Sequence, residues 1–143
     1  MVSEYKNILV AIDGSEHSER AFDEAVEAAK RYQAKLDVVS IINDSELSTS
    51  AFSFSKIYAA EKEQIEKEML KKIHDAALQG VENVEPFIEQ GNPKEKIVEF
   101  AKKNETQLLF LGATGKGDIQ LSQIGSTAAY VVNHAPCTVT VIR

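Results

Sequence analysis

The sequence predicts an α/β fold in which a parallel sheet carries helices on both faces. Three observations point there. Short, fully apolar runs alternate with amphipathic stretches along the chain. The runs mostly lack polar alternation, as expected of strands covered on both sides. The resulting order is βαβαβαβαβ, and repeated strand–helix–strand units make a parallel sheet.

The first strand is Ile8-Leu9-Val10-Ala11-Ile12, and Asp13-Gly14-Ser15 breaks it. A helix follows, with Ala21, Phe22, Ala25, Ala28, Ala29 and Tyr32 on one face and Glu, Asp and Lys on the other. Residues 36–42 are the second strand. Residues 43–55 hold five serines and few aliphatics, and they read as a mobile loop that becomes ordered with ligand. The second helix spans residues 56–78. Ile57, Ile65, Met69, Ile73, Ala76 and Ala77 form its apolar stripe, and Gly80 suits its C-terminal end. Residues 84–90 are a third strand, and Pro86 inside it predicts a sheet edge.

Asn92-Pro93-Lys94-Glu95 is a helix start, with Asn92 as N-cap and Pro93 in the first turn. That helix presents Ile97, Val98, Phe100 and Ala101. Residues 108–111 form the fourth strand, residues 126–133 a short helix, and residues 137–142 the last strand. One domain over residues 1–143 accounts for the whole sequence.

Composition narrows the function classes. The 143 residues carry a net charge of -6, and the isoelectric point is near 5.1. Such a surface repels phosphate backbones and anionic lipid, so neither nucleic acid nor membrane is an expected partner. A single cysteine, Cys137, reads as a small buried hydrophobe, and nothing marks an oxidising compartment. With no spanning apolar run and no signal segment, the expected location is the cytoplasm.

Ligands of open parallel sheets bind beyond the carboxyl ends of the strands, where strand order reverses. The first strand ends in Asp13-Gly14-Ser15 and the fourth in Gly112-Ala113-Thr114-Gly115-Lys116-Gly117. Glycines there permit positive φ and let amides converge on a phosphate without a Cβ in the way. The loop then reaches Gly125-Ser126-Thr127 at a helix N-terminus, whose free N–H groups and partial positive charge suit an anion. Ser126 adds a hydroxyl donor and Lys116 a fixed cation, while Asp118 two residues later opposes tight triphosphate binding. The spacing Gly112-x2-Gly115-x9-Gly125-Ser126, between a buried strand and a helix, is more specific than any one glycine. Ser15 and Ser18 read as helix-start residues. His17, His74 and His134 have no metal-ligand spacing and read as surface or capping residues, and the charges from Glu61 to Lys72 as a solvated helix face.

These segments, with Leu109-Phe110-Leu111-Gly112 and His134-Ala135-Pro136-Cys137, make the chain similar to the ATP-binding branch of the universal stress protein family. The resemblance implies a Rossmann-like three-layer sandwich of five parallel strands in the order 3-2-1-4-5. It implies that Asp13, with Ala11 and Ile12, lies against the nucleoside and that the Ile41 backbone meets the adenine. Gly112 then approaches the ribose, Gly115, Gly125, Ser126 and Thr127 hold the phosphates, and Ala113, Thr114 and Lys116 complete the nucleotide-binding set. The implied cofactor is ATP, with Mg2+ held through the phosphates, and the implied assembly is a homodimer through the β-branched strand Thr138 to Ile142. The leading function is an ATP-binding regulatory protein of the stress response. The alternatives are a slow ATP hydrolase or autophosphorylating enzyme, a binder of AMP or cyclic AMP, and a structural dimeric module. No catalytic residue is assigned, because the sequence offers no general base and no metal-binding carboxylate pair.

Overall fold

The computed structural model describes residues 5–44, 51–115 and 123–143, the side chains of residues 51–53 excepted. Nine elements alternate along it: β1 (Asn7–Ala11), α1 (Glu16–Tyr32), β2 (Lys35–Ile42), α2 (Ala51–Leu78), β3 (Val84–Gln90), α3 (Pro93–Lys103), β4 (Leu108–Gly112), α4 (Ser126–His134) and β5 (Thr138–Ile142). The strands form one sheet in the order β3-β2-β1-β4-β5, and every neighbouring pair is parallel. Order and architecture are those expected. Pro86 lies on edge strand β3, opposite Val38, where a missing N–H costs no ladder bond on the open side.

Strand alternation divides the core in two. Ile8, Val10, Leu36, Val38 and Phe110 point to one face, where α1 and α2 cover them with Ala21, Phe22, Ala25, Met69 and Ala76. Leu9, Ala11, Val39, Leu109 and Leu111 point to the other, under Ile97, Val98, Phe100 and Ala101 of α3 and Ala128 and Val131 of α4. Each large aliphatic or aromatic side chain so buried contributes about 1.5–3 kcal/mol. This explains the unbroken apolar runs of β1 and β4, because successive residues serve opposite cores.

Three expectations are corrected. Helix α2 begins at Ala51 rather than at residue 56. Its early turns gain an i,i+4 stack of Phe54 on Tyr58, with ring centroids 6.1 Å apart, and such pairs support a helix through serine-rich sequence. The expected mobile loop is therefore shorter at that end, and residues 45–50 within it lie outside the described residues. The apolar stripe of α2 is also narrower than its spacing suggests. Met69 and Ala76 are buried, but Ile57 is 42% exposed and Ala77 is exposed as well. A helix of 28 residues is about 42 Å long, so its ends overrun the sheet. Finally, β1 is shifted by one residue toward the N-terminus, β4 extends one residue further to Gly112, and β5 starts at Thr138 rather than Cys137.

At the far end of β2, Asp37 is buried on the α3 face. Burial pushes its carboxyl upward, and the nearby Lys35 ammonium pulls it partly back. Lys35 Nζ sits 3.3 Å from Asp37 Oδ1, a charge contact without hydrogen-bond alignment.

Candidate functional site

The carboxyl ends of β1, β2 and β4 enclose a cavity of about 400 Å3, within the range of small-molecule pockets. It lies at the switch point, where β1 is flanked by β2 on one side and β4 on the other. Ala11, Ile12, Asp13, Ile41, Gly112, Ala113, Thr114, Gly115, Gly125, Ser126 and Thr127 all line it. Segments more than a hundred residues apart in sequence thus meet around one hollow. Lys116, the remaining candidate, lies outside the described residues, as does Asp118.

The first turn of α1 forms one wall. Ser15 is its N-cap, and its Oγ accepts from Ser18 N at 3.3 Å. Ser18 Oγ donates to Ser15 O at 3.0 Å and accepts from Asp13 N at 3.2 Å. Both serines are helix-start residues, as expected. Asp13 Oδ1 accepts from Ser15 N at 2.9 Å, which turns its other oxygen toward Gly115. A Cβ built on Gly115 would stand 2.5 Å from Asp13 Oδ2.

Gly112 and Gly115 are needed for space, and none of the cavity's three glycines has the expected positive φ. Gly125 has φ -74°. Neither Gly112 nor Gly115 is left-handed either, whereas Gly14 is, at 83°. A Cβ on Gly112 would meet His17 Cβ at 2.8 Å and Ser18 N at 2.9 Å. Gly112 therefore lets α1 sit directly on the end of β4, a packing role in addition to any contact with a ligand.

Helix α4 supplies the opposite wall. Its N-cap is Gly125, which makes no side-chain cap hydrogen bond. Gly125 N donates to Ala113 O at 2.6 Å, and Ala113 N donates to Ile142 O at 2.7 Å. Ser126, Thr127 and Ala128 follow along the cavity wall. Their turn offers amides and a partial positive charge to whatever occupies the hollow. By contrast, α3, whose Pro93 and Ile97 line the same cavity, is closed by Asn92 Oδ1, which accepts from Glu95 N at 3.4 Å.

The sequence missed several lining residues. Val39, Leu111, Ile97 and Ala128 are apolar core residues whose outer atoms face the hollow, and no local signal marks them. Asn43 and Glu61 were assigned to a loop and a solvated face, yet both line the cavity beside Ile41. His17, read as a surface residue, reaches across to Thr114, with Nδ1 3.2 Å from its N and 2.8 Å from its Oγ1. His134 meets the capping expectation, with Nδ1 2.8 Å from Tyr130 O. Among the described residues, no group of three His, Cys, Asp or Glu side chains is arranged to hold a metal ion, and no helix is long and apolar enough to cross a membrane.

The geometry agrees with what the chain is similar to. The family described as the universal stress protein family matches residues 4–143. A relative from Staphylococcus haemolyticus bearing that family's name is 38% identical over 141 residues, covering 97% of this chain and 85% of the relative. The solved universal stress protein UspA from Lactobacillus plantarum is 38% identical with a TM-score of 0.92, covering 99% of this chain and 100% of that one. A universal stress protein solved in complex with cAMP is 28% identical with a TM-score of 0.69, over 99% of this chain and 98% of the other. With nearly its full length matched, this chain belongs to the universal stress protein family.

Proposed function

We propose that the protein is a single-domain, cytoplasmic regulatory protein of the stress response that binds an adenine nucleotide, ATP foremost, in the cavity at the sheet's switch point. The observation that carries this reading is the open first turn of α4. Gly125 leaves its amides without a side-chain cap, and the turn faces the hollow across from Asp13 and Gly115. An anionic group placed there would accept from first-turn amides that no N-cap side chain satisfies. The residues fit a nucleotide. Gly115, Gly125, Ser126 and Thr127 would hold the phosphates, with Lys116 as a further contact. Asp13 would accept from ribose or base hydroxyl and amino groups, and the backbone at Ile41 would meet the adenine. Mg2+ would be held through the phosphates rather than by a protein cage.

Isothermal titration of the full chain with ATP, ADP, AMP and cyclic AMP, with turnover followed alongside, tests this. Saturable ATP binding with little hydrolysis is the expected result. Absence of binding by all four nucleotides would remove the reading. Cyclic AMP as the preferred ligand is the second reading, favoured by the relative solved with that nucleotide. Fast ATP turnover would favour the enzyme alternative.

The proposal extends to a homodimer through β5. That strand is a sheet edge, β-branched at every position, and its open N–H and C=O groups invite antiparallel pairing with a second copy. Val141→Lys would set a charge in the seam near its symmetry mate, so sedimentation should shift from dimer to monomer. A wild-type monomer at high micromolar concentration would remove this part of the proposal.

A further inference from the structure

We propose that His17 is a positioning residue for the glycine loop. In its neutral form it holds Thr114 in place, and protonation of the ring releases the root of the loop. The binding consequence rests on the nucleotide reading above, whereas the latch itself does not.

The argument starts from what a backbone amide can do. Thr114 N–H only donates, so the His17 Nδ1 that lies 3.2 Å away must accept. The neutral ring therefore carries its proton on Nε2. The lone pair of Nδ1 also faces Thr114 Oγ1 at 2.8 Å, whose hydroxyl can donate to it. Protonation of Nδ1 would set N–H against N–H and end the amide contact, leaving Nδ1–H to donate to the Thr114 hydroxyl instead. Thr114 is buried, so its amide has no ready exchange with water.

The root of the loop is held from three sides. Ala113 is tied to the end of β5 and to the start of α4 through Ile142 O and Gly125 N. Thr114 is tied to α1 through His17, with Ser15 Oγ a distant 3.5 Å from Thr114 O. Of the fastenings named at Ala113 and Thr114, the one through His17 has an imidazole, while Asp13 lies beside the following Gly115. The imidazole does not line the cavity, but Thr114 and Gly115 do. Its backbone and Cβ are pressed against Gly112, which seats the residue on the end of β4.

The charged groups facing this corner come from three elements. Asp13 stands at the end of β1 with its carboxylate against Gly115. Glu16 and Arg20 of α1 pair at 2.8 Å. Arg143 follows β5, and its carbonyl accepts from Arg20 Nε at 2.8 Å. Lys116 and Asp118 follow Gly115 in sequence.

The test compares wild type, His17→Asn and His17→Ala as full chains, at about pH 8 and about pH 5.5. Asparagine places an amide oxygen near the position of Nδ1, so it accepts from Thr114 without titrating. Three readouts are taken: the ring tautomer by imidazole nitrogen NMR, Thr114 amide exchange, and ATP affinity. The expected results are an Nε2–H ring at high pH, and a Thr114 amide whose protection factor, corrected for the pH dependence of intrinsic exchange, falls in acid in wild type but not in His17→Asn. Wild-type ATP affinity should fall on acidification by roughly tenfold more than that of His17→Asn, the size of one or two lost hydrogen bonds. Titration of the nucleotide's own phosphate is common to both proteins and cancels in that ratio. His17→Ala should bind weakly at both pH values. An Nδ1–H ring, or Thr114 protection in His17→Ala equal to wild type, would overturn the latch. A latch that behaves as described in a wild type that binds no ATP would overturn the nucleotide reading, and with it the role in binding, while leaving His17 a structural fastening.

Discussion

Helices α1 and α4 both begin at the same crevice, and their first turns are built in opposite ways. Helix α1 closes on itself. Ser15 caps it, Ser18 bonds back to Ser15 and forward to the Asp13 amide, and His17 reaches over to Thr114. Helix α4 starts from a glycine with no side chain to offer, and its first residues face the hollow. Every helix start leaves amides that need partners. Ser15 supplies a side-chain partner for the Ser18 amide of α1, whereas the N-cap of α4, Gly125, supplies none. On the proposed reading one turn is scaffold and the other receptor, although both sit at carboxyl ends of neighbouring strands. Serine, aspartate and glycine near a strand end therefore do not by themselves mark a ligand site. What marks one is a donor group left without a partner beside a cavity.

The comparison breaks most visibly at the contact between the two walls. Gly115→Val puts a branched side chain where Asp13 Oδ2 already stands at 2.5 Å from the ideal Cβ position. Nucleotide affinity should fall by roughly a hundredfold or more, equivalent to about 2.7 kcal/mol, while thermal unfolding stays cooperative. A folded variant with unchanged affinity would mean that the ligand does not use this wall.

Gly125→Asp asks whether α4 is open for a ligand or merely poorly capped. The backbone at Gly125, φ -74° and ψ 171°, is the extended geometry that an N-cap aspartate adopts. The carboxylate should cap the helix and occupy the anion position itself. Stability should rise by about 0.5 kcal/mol as ATP affinity falls by roughly tenfold. Denaturant unfolding and calorimetry on the same sample decide this. Tighter ATP binding in that variant would refute the assignment of the turn as an anion receptor.

Ser15→Ala is the mirror experiment. It removes the cap of the closed helix and should cost about 1 kcal/mol of stability. Affinity should change little, because Ser15 Oγ is a distant 3.5 Å from Thr114 O. A large affinity loss with unchanged stability would reverse the roles given to the two turns.

Asp37→Asn supplies a baseline far from both. Burial raises the folded-state value of this carboxyl above its ordinary one, so ionising it costs the folded state free energy that the unfolded chain does not lose. That cost is fully present above the raised value and disappears as pH falls through it toward the ordinary carboxylate range. The variant should be slightly more stable than wild type at neutral pH, and the gain should vanish in acid. Urea unfolding across the acid range measures it, and nucleotide affinity should not move.

Much of the molecule was legible in the residues because the relevant signals are local. Unbroken apolar runs meant strands buried on both faces. Asn92-Pro93 meant a helix start and Pro86 an edge strand, and each holds in the structure. The glycine spacing located three of the cavity's walls. What the sequence misassigned depended on distance. The end of the serine-rich stretch was read from composition, but helix cooperativity carried α2 back to Ala51. The glycines were read as allowing positive φ and room for a phosphate, whereas at Gly112 and Gly115 the space is needed by neighbouring segments of the chain.

By itself, then, the sequence determined the kinds of elements, their order and the strand ends at which chemistry gathers, since propensity, capping and periodicity act within a few residues. Tertiary structure alone decided that Asn43 and Glu61 join the cavity, that α1 is sealed while α4 is open, and that His17 lies on Thr114, 97 positions away. Those facts depend on which atoms face each other across the sheet. Parallel crossovers bring together residues that share no local pattern, so no window along the chain contains the relevant contact.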